Sequence, residues 1–442
     1  MNIQLDPPRA VLRIAGKLEK AGFETWCVGG AIRDALLGHR HLDWDLATAA
    51  RPQQVRALFP RTIPVGIEFG TIGVLDESGV MHEVTTYRRD VRTDGRHPVV
   101  DFGASLDEDL ARRDYTINAM AWSPAQQKFY DPLHGLEDLE RQIVRAVGDP
   151  LERMREDRLR ALRAIRFAAR FGFSIEAATW NAIVASAPHL SRLSAERVKQ
   201  EIEKTMEQVK LPSRAFSLWR ESGAFGALIP SLAEVTDVRL RAIDHICLPG
   251  LRGRPQRKAA RLSALFASVE PGGVLDMLKS LRFSNADAAW ISSVVARWAL
   301  LHEEMAETMT AGPPSDAVLR RWAARAGRTR LAFIMRLAHA SWWAEREAGM
   351  SVPSSTTIRS AYRRGLKAAY NDPIELSDLA ITGRDLEKLG LTGPDVGEGL
   401  RKLLEIVIND PAANTRAGLL TIAQSWRAAG STYEDGRPQR QG

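Results

Sequence analysis

The sequence predicts a mixed α/β head followed by an all-helical remainder. Three observations predict it. A strand, a glycine turn, a helix and a second strand follow one another between Thr25 and Leu46. Two more strand-like runs, at 70–75 and 80–87, bracket an Asp76–Gly79 turn. From Ser174 onward strand signals stop and helical periods take over.

The first strand covers Thr25–Val28, turns at Gly29-Gly30 and enters a helix that stops at Gly38. A strand carrying Asp43 and Asp45 follows. Strand side chains alternate faces, so these carboxylates share one face while Leu42, Trp44 and Leu46 share the other. Two acids about 7 Å apart on one face repel and call for a cation between them. Hard cations take oxygen ligands, and Mg²⁺ binds through one or two carboxylates plus substrate phosphates. The paired glycines let backbone approach such phosphates, and the helix start beyond them favours an anion. An Asp-x-Asp also arises by chance, so this reading depends on the surrounding order of elements.

Pro52 fits the first turn of a helix running to about Phe59. In the 80–87 run, Glu83 lies among Val84, Thr85 and Thr86. It either faces outward or joins Asp43 and Asp45 as a third carboxylate, the role an acid in a β-branched strand favours. Residues 88–106 are polar and read as a mobile loop. The run from Asp109 to Ala121 opens a helix or a strand–helix joint. Its Arg112-Arg113 pair makes surface ion pairs or reaches a triphosphate, whose oxygens suit a planar fork of donors.

A patterned helix is expected from Leu151 to Phe171, with Ala161, Leu162, Ile165 and Ala168 in one arc. Arg160, Arg163, Arg166 and Arg170 lie opposite, with Asp157 one step round from Arg160. Such a stripe is usually a solvated face, but few acids at i±4 neutralise it, which points to an anion or a nucleobase edge. Helical segments then run to about Ala428, with joints at 311–316 and 351–357 and no fixed-period repeat, and 431–442 reads as disordered.

Composition narrows the function classes. The chain has 442 residues, enough for two or three cores, and a net charge of +7, which favours a polyanionic partner. Its two cysteines, Cys27 and Cys247, support neither a disulfide framework nor a four-cysteine zinc site. No apolar run reaches membrane-spanning length and no secretory signal is read, so the expected location is cytoplasmic, without membrane.

The order strand, Gly-Gly, helix, strand with Asp-x-Asp is that of the DNA polymerase β nucleotidyltransferases. More specifically, the chain resembles the bacterial-type (class II) tRNA nucleotidyltransferase and poly(A) polymerase family, and within it the CCA-adding enzymes. Five motifs carry the resemblance: Gly29-Gly30-Ala-Ile-Arg33-Asp34 with Asp43-Trp-Asp45; Gly70-Thr-Ile with Glu83-Val-Thr-Thr; Arg112-Arg113-Asp114-Tyr-Thr-Ile-Asn118; Glu156-Asp157-Arg-Leu-Arg160; and Ser194-Ala-Glu196-Arg197. Residues 376–404 also resemble the family's C-terminal region.

The resemblance implies an α+β fold: a polymerase β-like catalytic head (1–150), a helical neck that reads the base (151–210), a helical body (211–350), a tRNA-binding tail (351–430) and the disordered end. It implies that Asp43 and Asp45 bind Mg²⁺, with Glu83 as a catalytic carboxylate. It also implies that Gly30, Arg33 and Arg113 hold the triphosphate. Asp157 and Arg160 would face the Watson–Crick edge of CTP or ATP, assisted by Arg163 and Arg166, and protein would replace a template strand. The implied reaction is two-metal addition of C, C and A to the 3′ end of tRNA. Poly(A), CC-adding and A-adding relatives share the motifs. The full-length 88–106 segment and the missing basic cluster after the Asp-x-Asp strand favour complete CCA addition. Asp244-His245 reverses the His-Asp order of some relatives' extra domain, so no phosphohydrolase activity is expected. A non-catalytic RNA-binding protein on the same fold is the reading from another class, and the intact acidic residues count against it.

Overall fold

The computed structural model describes residues 3–39, 43–92, 99–246 and 254–430. Expectations for Leu42, Cys247, residues 93–98 and the 431–442 end lie outside the described residues. The chain forms two compact units, Met1–Glu234 and Val235–Gly442.

In the first unit, α1 (Arg9–Lys20) leads into β1 (Thr25–Val28), α2 (Gly30–Leu36), β2 (Asp45–Thr48) and α3 (Pro52–Leu58). Then come β3 (Thr62–Gly66), β4 (Thr71–Leu75), β5 (Met81–Thr86), β6 (Arg88–Arg92), β7 (Val99–Phe102), α4 (Leu106–Ala111), β8 (Ala121–Ser123) and β9 (Lys128–Tyr130). One seven-stranded sheet takes the order β3-β4-β5-β2-β1-β8-β9. Its pairs are antiparallel except β2 with β5, which run parallel with Leu46 opposite Val84.

Alternation along the central strands sorts side chains between two cores. Cys27, Leu46, Ile72 and Val84 pack with Val11, Ile14 and Leu18 of α1 and Ile32 of α2. Trp26, Val28 and Ala47 face the opposite layer, with Tyr87 and with Leu106 and Leu110 of α4. Fully burying side chains of this kind contributes about 1.5–3 kcal/mol each. Because Leu46 and Val84 point to the first layer, Asp45, Glu83 and Thr85 point to the second. Trp44 joins the first layer, as alternation predicts.

The first unit continues with α5 (Gly135–Glu140), β10 (Ile143–Val144), α6 (Pro150–Glu156), α7 (Leu159–Phe171), β11 (Ser174–Ile175), α8 (Ala177–Ser186) and α9 (Ala195–Gln208). In the second unit, the described elements from Asp237–Asp244 to Arg416–Gly430 are helices. None of its described helices is long and apolar enough to cross a membrane.

Several expectations need correction. Asp43 precedes β2 rather than lying in it. The 88–106 segment is not simply a loop: β6 and β7 pair antiparallel, with Arg89 bonded to Asp101 at 2.8 Å. Asp109 sits near the end of α4, which starts earlier because Ser105 and Glu108 form a capping box. β3, for which no element was expected, pairs antiparallel with β4, and Ser174–Ile175, where strand signals were expected to stop, forms a short parallel pair with β10. The 151–171 helix is two helices. Asp157 is extended (φ −147°, ψ 103°), and its Oδ1 accepts a bond from the Leu159 N–H at 3.0 Å, so it caps α7 instead of riding on it. The 376–391 segment likewise breaks at Thr382, whose capping box with Asp385 starts a new helix at Gly383.

Candidate active site

The carboxyl-bearing face of the sheet, the Arg112–Asp114 turn and the start of α7 enclose a cavity of about 370 Å³. Its sheet wall carries Asp45, Glu83, Thr71 and Thr85, and its opposite wall carries Asp157, Arg160 and Arg163. Cross-strand pairing explains the first wall: Leu46 opposite Val84 sets Asp45 beside Glu83 on neighbouring parallel strands. Thr71 and Thr85 share a 3.0 Å hydroxyl hydrogen bond on the same face.

The carboxylates are electrostatically strained. Burial, then Glu83 and Asp43, push the Asp45 carboxyl up to about 6, against a smaller pull from Arg113. Burial and Asp43 raise Glu83 as well. A divalent cation would relieve this repulsion, so the donor chemistry fits a hard metal ion. Among the described residues no three His, Cys, Asp or Glu side chains converge as a full ligand set. Asp45 with Asp43 therefore needs further oxygens, such as those of a bound triphosphate.

Arg113 is held over this wall. Asp109, only 1% exposed, accepts from Arg113 Nη2 at 3.1 Å and from Arg112 Nη2 at 3.0 Å. Burial would raise the Asp109 carboxyl, but the two guanidiniums hold it below the ordinary range. Gly29 takes φ +79°, and a Cβ there would stand 2.8 Å from Arg113 Nη1 and 3.8 Å from Asp45 Oδ2. The glycine turn is thus a close approach between backbone, arginine and carboxylate.

The opposite wall is built from ion pairs. Asp157 Oδ2 accepts from Arg197 at 2.7 Å, and Arg160 donates to Glu156 at 2.6 Å. Arg163 donates to Asp114 Oδ2 at 2.6 Å, and Asn118 donates to Asp114 Oδ1 at 2.9 Å. Burial opposes ionisation of Asp114, yet Arg163 and Asn118 bring its carboxyl down to about 2.

Not every anticipated site residue reaches the cavity. Arg33, 3% exposed, bonds Asp34 at 2.7 Å and Asn118, and stacks on Phe167 and Phe171. Its donors are spent on Asp34 and Asn118, and the stacking of its guanidinium is what ties α2 to α7. Arg166, 4% exposed, donates to Glu201 at 2.7 Å and to Gln208 at 3.2 Å. The stripe is neutralised after all: Arg160, Arg163, Arg166 and Arg170 each pair with an acid, and all four acids lie outside α7. Gly30 starts α2 beside the turn, and exposed Asp43 acts on Asp45 and Glu83 through its charge. Thr71, Thr85, Arg88 and Asp114 line the cavity although sequence reasoning assigned them no role. The alternation Glu83-x-Thr85 was the available signal for Thr85.

Residues 25–145 match the poly A polymerase head domain, and residues 172–236 match the domain described as a probable RNA and SrmB-binding site of polymerase A. The chain is 41% identical over 243 residues to the CCA-adding enzyme of Anoxybacillus flavithermus, covering 54% of this chain and 60% of that one. It is 47% identical over 195 residues to that of Leuconostoc mesenteroides, covering 44% and 48%. These matches span about half to three fifths of the curated relatives' length. A crystal structure of Bacillus stearothermophilus CCA-adding enzyme in complex with CTP superposes with a TM-score of 0.74 at 29% identity, covering 96% of this chain and 98% of that one. A Thermotoga maritima CCA-adding enzyme complexed with tRNA shares the fold, with a TM-score of 0.63 at 20% identity over 96% of this chain and 97% of that one. The head and the segment after it thus match poly A polymerase domains, and the fold along nearly the whole chain is similar to that of solved CCA-adding enzymes.

Proposed function

We propose that this protein adds C, C and A to the 3′ end of tRNA from CTP and ATP, releasing pyrophosphate. The observation that carries the reading is the cavity itself. Strained carboxylates on one wall, from the sheet, face a hydrogen-bonding Asp–Arg wall from a helix start far along the chain. Likeness to relatives named CCA-adding enzymes, one solved with CTP, supports it. Nucleotidyltransferases of this family generally use divalent metals, and Mg²⁺ is the ion proposed here, held by Asp43 and Asp45 with Glu83 beside them. Residues 1–150 would be the catalytic head, 151–210 the neck, and 211–350 and 351–430 the body and the tRNA-binding tail.

A bound divalent ion supplies charge neutralisation at the reacting phosphate and acidifies the attacking hydroxyl. The protein's own part is positioning. Arg113, braced by Asp109, holds the triphosphate against the Gly29-Gly30 turn. Glu83 orients the attacking 3′-hydroxyl. Asp157 accepts from an exocyclic amine, which cytosine and adenine both carry, while Arg160 donates to a ring acceptor. Arg163 and Asp114 keep the start of α7 in register with the sheet.

The test is incubation of the full chain with Mg²⁺ and tRNA lacking its last three nucleotides. Growth by two nucleotides with CTP alone, and by three with CTP and ATP, is expected. A long A tail, or addition restricted to A, would replace this reading with that of another family member.

A further inference from the structure

A second cavity, of about 150 Å³, lies between α6, α8 and the 3-10 turn Ala187–Arg192 and shares no lining residue with the first. Arg155, Arg158, His189 and Ser186 line it, over a floor that includes Met154 and Ala182. Arg192 stands close enough to act on Arg158 by its charge. We propose that this basic cavity is a phosphate-binding site, filled by the backbone of the RNA substrate.

Like charges do not gather without a counter-charge unless something else holds them. Burial, then Arg192 and Arg155, push the Arg158 guanidinium below its ordinary value, and no acid offsets them. Among the described residues no carboxylate pairs with Arg158 or Arg192. Asp157, the nearest acid in sequence, is committed to Arg197 at 2.7 Å. Arg155 meets only Glu152, at 3.3 Å with both side chains well exposed, a pair of little energetic weight. The C-terminal end of α8 accommodates one cation, but it does not account for three arginines and a histidine together.

The floor has the chemistry of an anion site. Ser186 is 4% exposed, and its Oγ accepts from Arg158 Nη1 at 3.4 Å, leaving its own O–H to donate. A phosphate would receive that hydroxyl and the guanidinium forks of Arg158 and Arg155, the charge-assisted bonding that phosphate oxygens favour. The position explains why RNA is the preferred source. Arg158 immediately follows Asp157, so a backbone phosphate held here would anchor the RNA one residue from the wall proposed to read the incoming base.

The inference rests on the RNA substrate proposed above, and its test is separate from nucleotide addition. Binding of full-length protein to tRNA lacking CCA is measured against salt for the wild type, Arg158→Ala, Arg158→Lys and the exposed Arg192→Ala. Each lost phosphate contact should lower the slope of log affinity against log salt by about 0.7–0.9. At fixed salt the alanine variants should bind roughly threefold to tenfold more weakly, with CTP affinity unchanged; Arg158→Lys should keep most of the slope. In parallel, ³¹P line broadening of inorganic phosphate and pyrophosphate is compared between wild type and Arg158→Ala. An unchanged tRNA slope with lost broadening would assign the site to a free anion. If both alanine variants fold and neither slope nor broadening changes, the site does not bind phosphate. Wild-type protein that binds tRNA with the expected slope but adds no nucleotide would overturn the function and leave this site standing.

Discussion

Replacing Asp45 with Asn should stabilise the metal-free protein while abolishing nucleotide addition. Burial and two acidic neighbours raise the Asp45 carboxyl from 3.8 to about 6. A rise of that size corresponds to about 3 kcal/mol favouring the neutral form, at ~1.36 kcal/mol for each tenfold change in proton affinity. Partial exposure and salt reduce that ceiling to about 1–2 kcal/mol. The sign follows from proton binding. The folded state holds this proton more tightly than the unfolded chain, so ionised Asp45 destabilises the fold above about pH 6. That penalty fades as pH falls through 6 and is gone below the unfolded value of 3.8. At about 2–4 °C per kcal/mol for a unit of this size, the metal-free variant should melt roughly 2–8 °C higher near pH 7.5. The assay is a thermal scan of both proteins in EDTA across pH 4–8, repeated with Mg²⁺. The gap should shrink toward pH 4, and Mg²⁺ should raise the melting temperature of the wild type but not of the variant. A variant melting at or below the wild type in EDTA at pH 7.5 would refute the argument that these carboxylates are held apart from their counter-ion.

Other expectations follow from single contacts. Gly29→Ala places a Cβ 2.8 Å from Arg113 Nη1 at φ +79°, so it should cost about 1–3 kcal/mol and raise the KM for nucleotide, read by melting and initial rates. Arg197→Ala removes the 2.7 Å partner of Asp157, so kinetics with UTP and GTP should show discrimination against these bases falling about tenfold. Glu201→Gln strands the buried Arg166 guanidinium; a urea midpoint should report a loss of about 3–5 kcal/mol, with the activity of the folded fraction unchanged.

What could be read from sequence was local. β1, the Gly29-Gly30 turn and α2 announce themselves through strand composition, paired glycines and helical spacing within twelve residues, 25 to 36. The helical second unit shows its 3.6-residue period in the same way. Wherever a distant partner decides, the reading went astray. Nothing beside Arg166 reveals Glu201, and nothing beside Arg170 reveals Asp34, 136 residues away. The helix break at Asp157 was hidden for a different reason: apolar periodicity continues across it, while the capping bond from Leu159 depends on one short side chain. The capping box Ser105-x-x-Glu108 was legible and outweighed by the charge of its surroundings.

These distant pairs bear directly on selectivity under the proposed function. In the ligand-free protein Asp157 already holds Arg197, Arg160 already holds Glu156, and Arg163 already holds Asp114. A base entering the cavity therefore exchanges hydrogen bonds instead of filling vacant ones, and its net gain is the difference between its own pattern and the one it displaces. Cytosine and adenine offer an amine to Asp157 and a ring acceptor to Arg160, so the exchange is nearly even in number and gains from stacking and phosphate contacts. Uracil offers a carbonyl to a carboxylate, which would lose the Arg197 bond and receive none. Discrimination then comes mainly from what the wrong base leaves unpaired, and the ion pairs that kept the arginine face from looking like a binding surface are what make the wall selective.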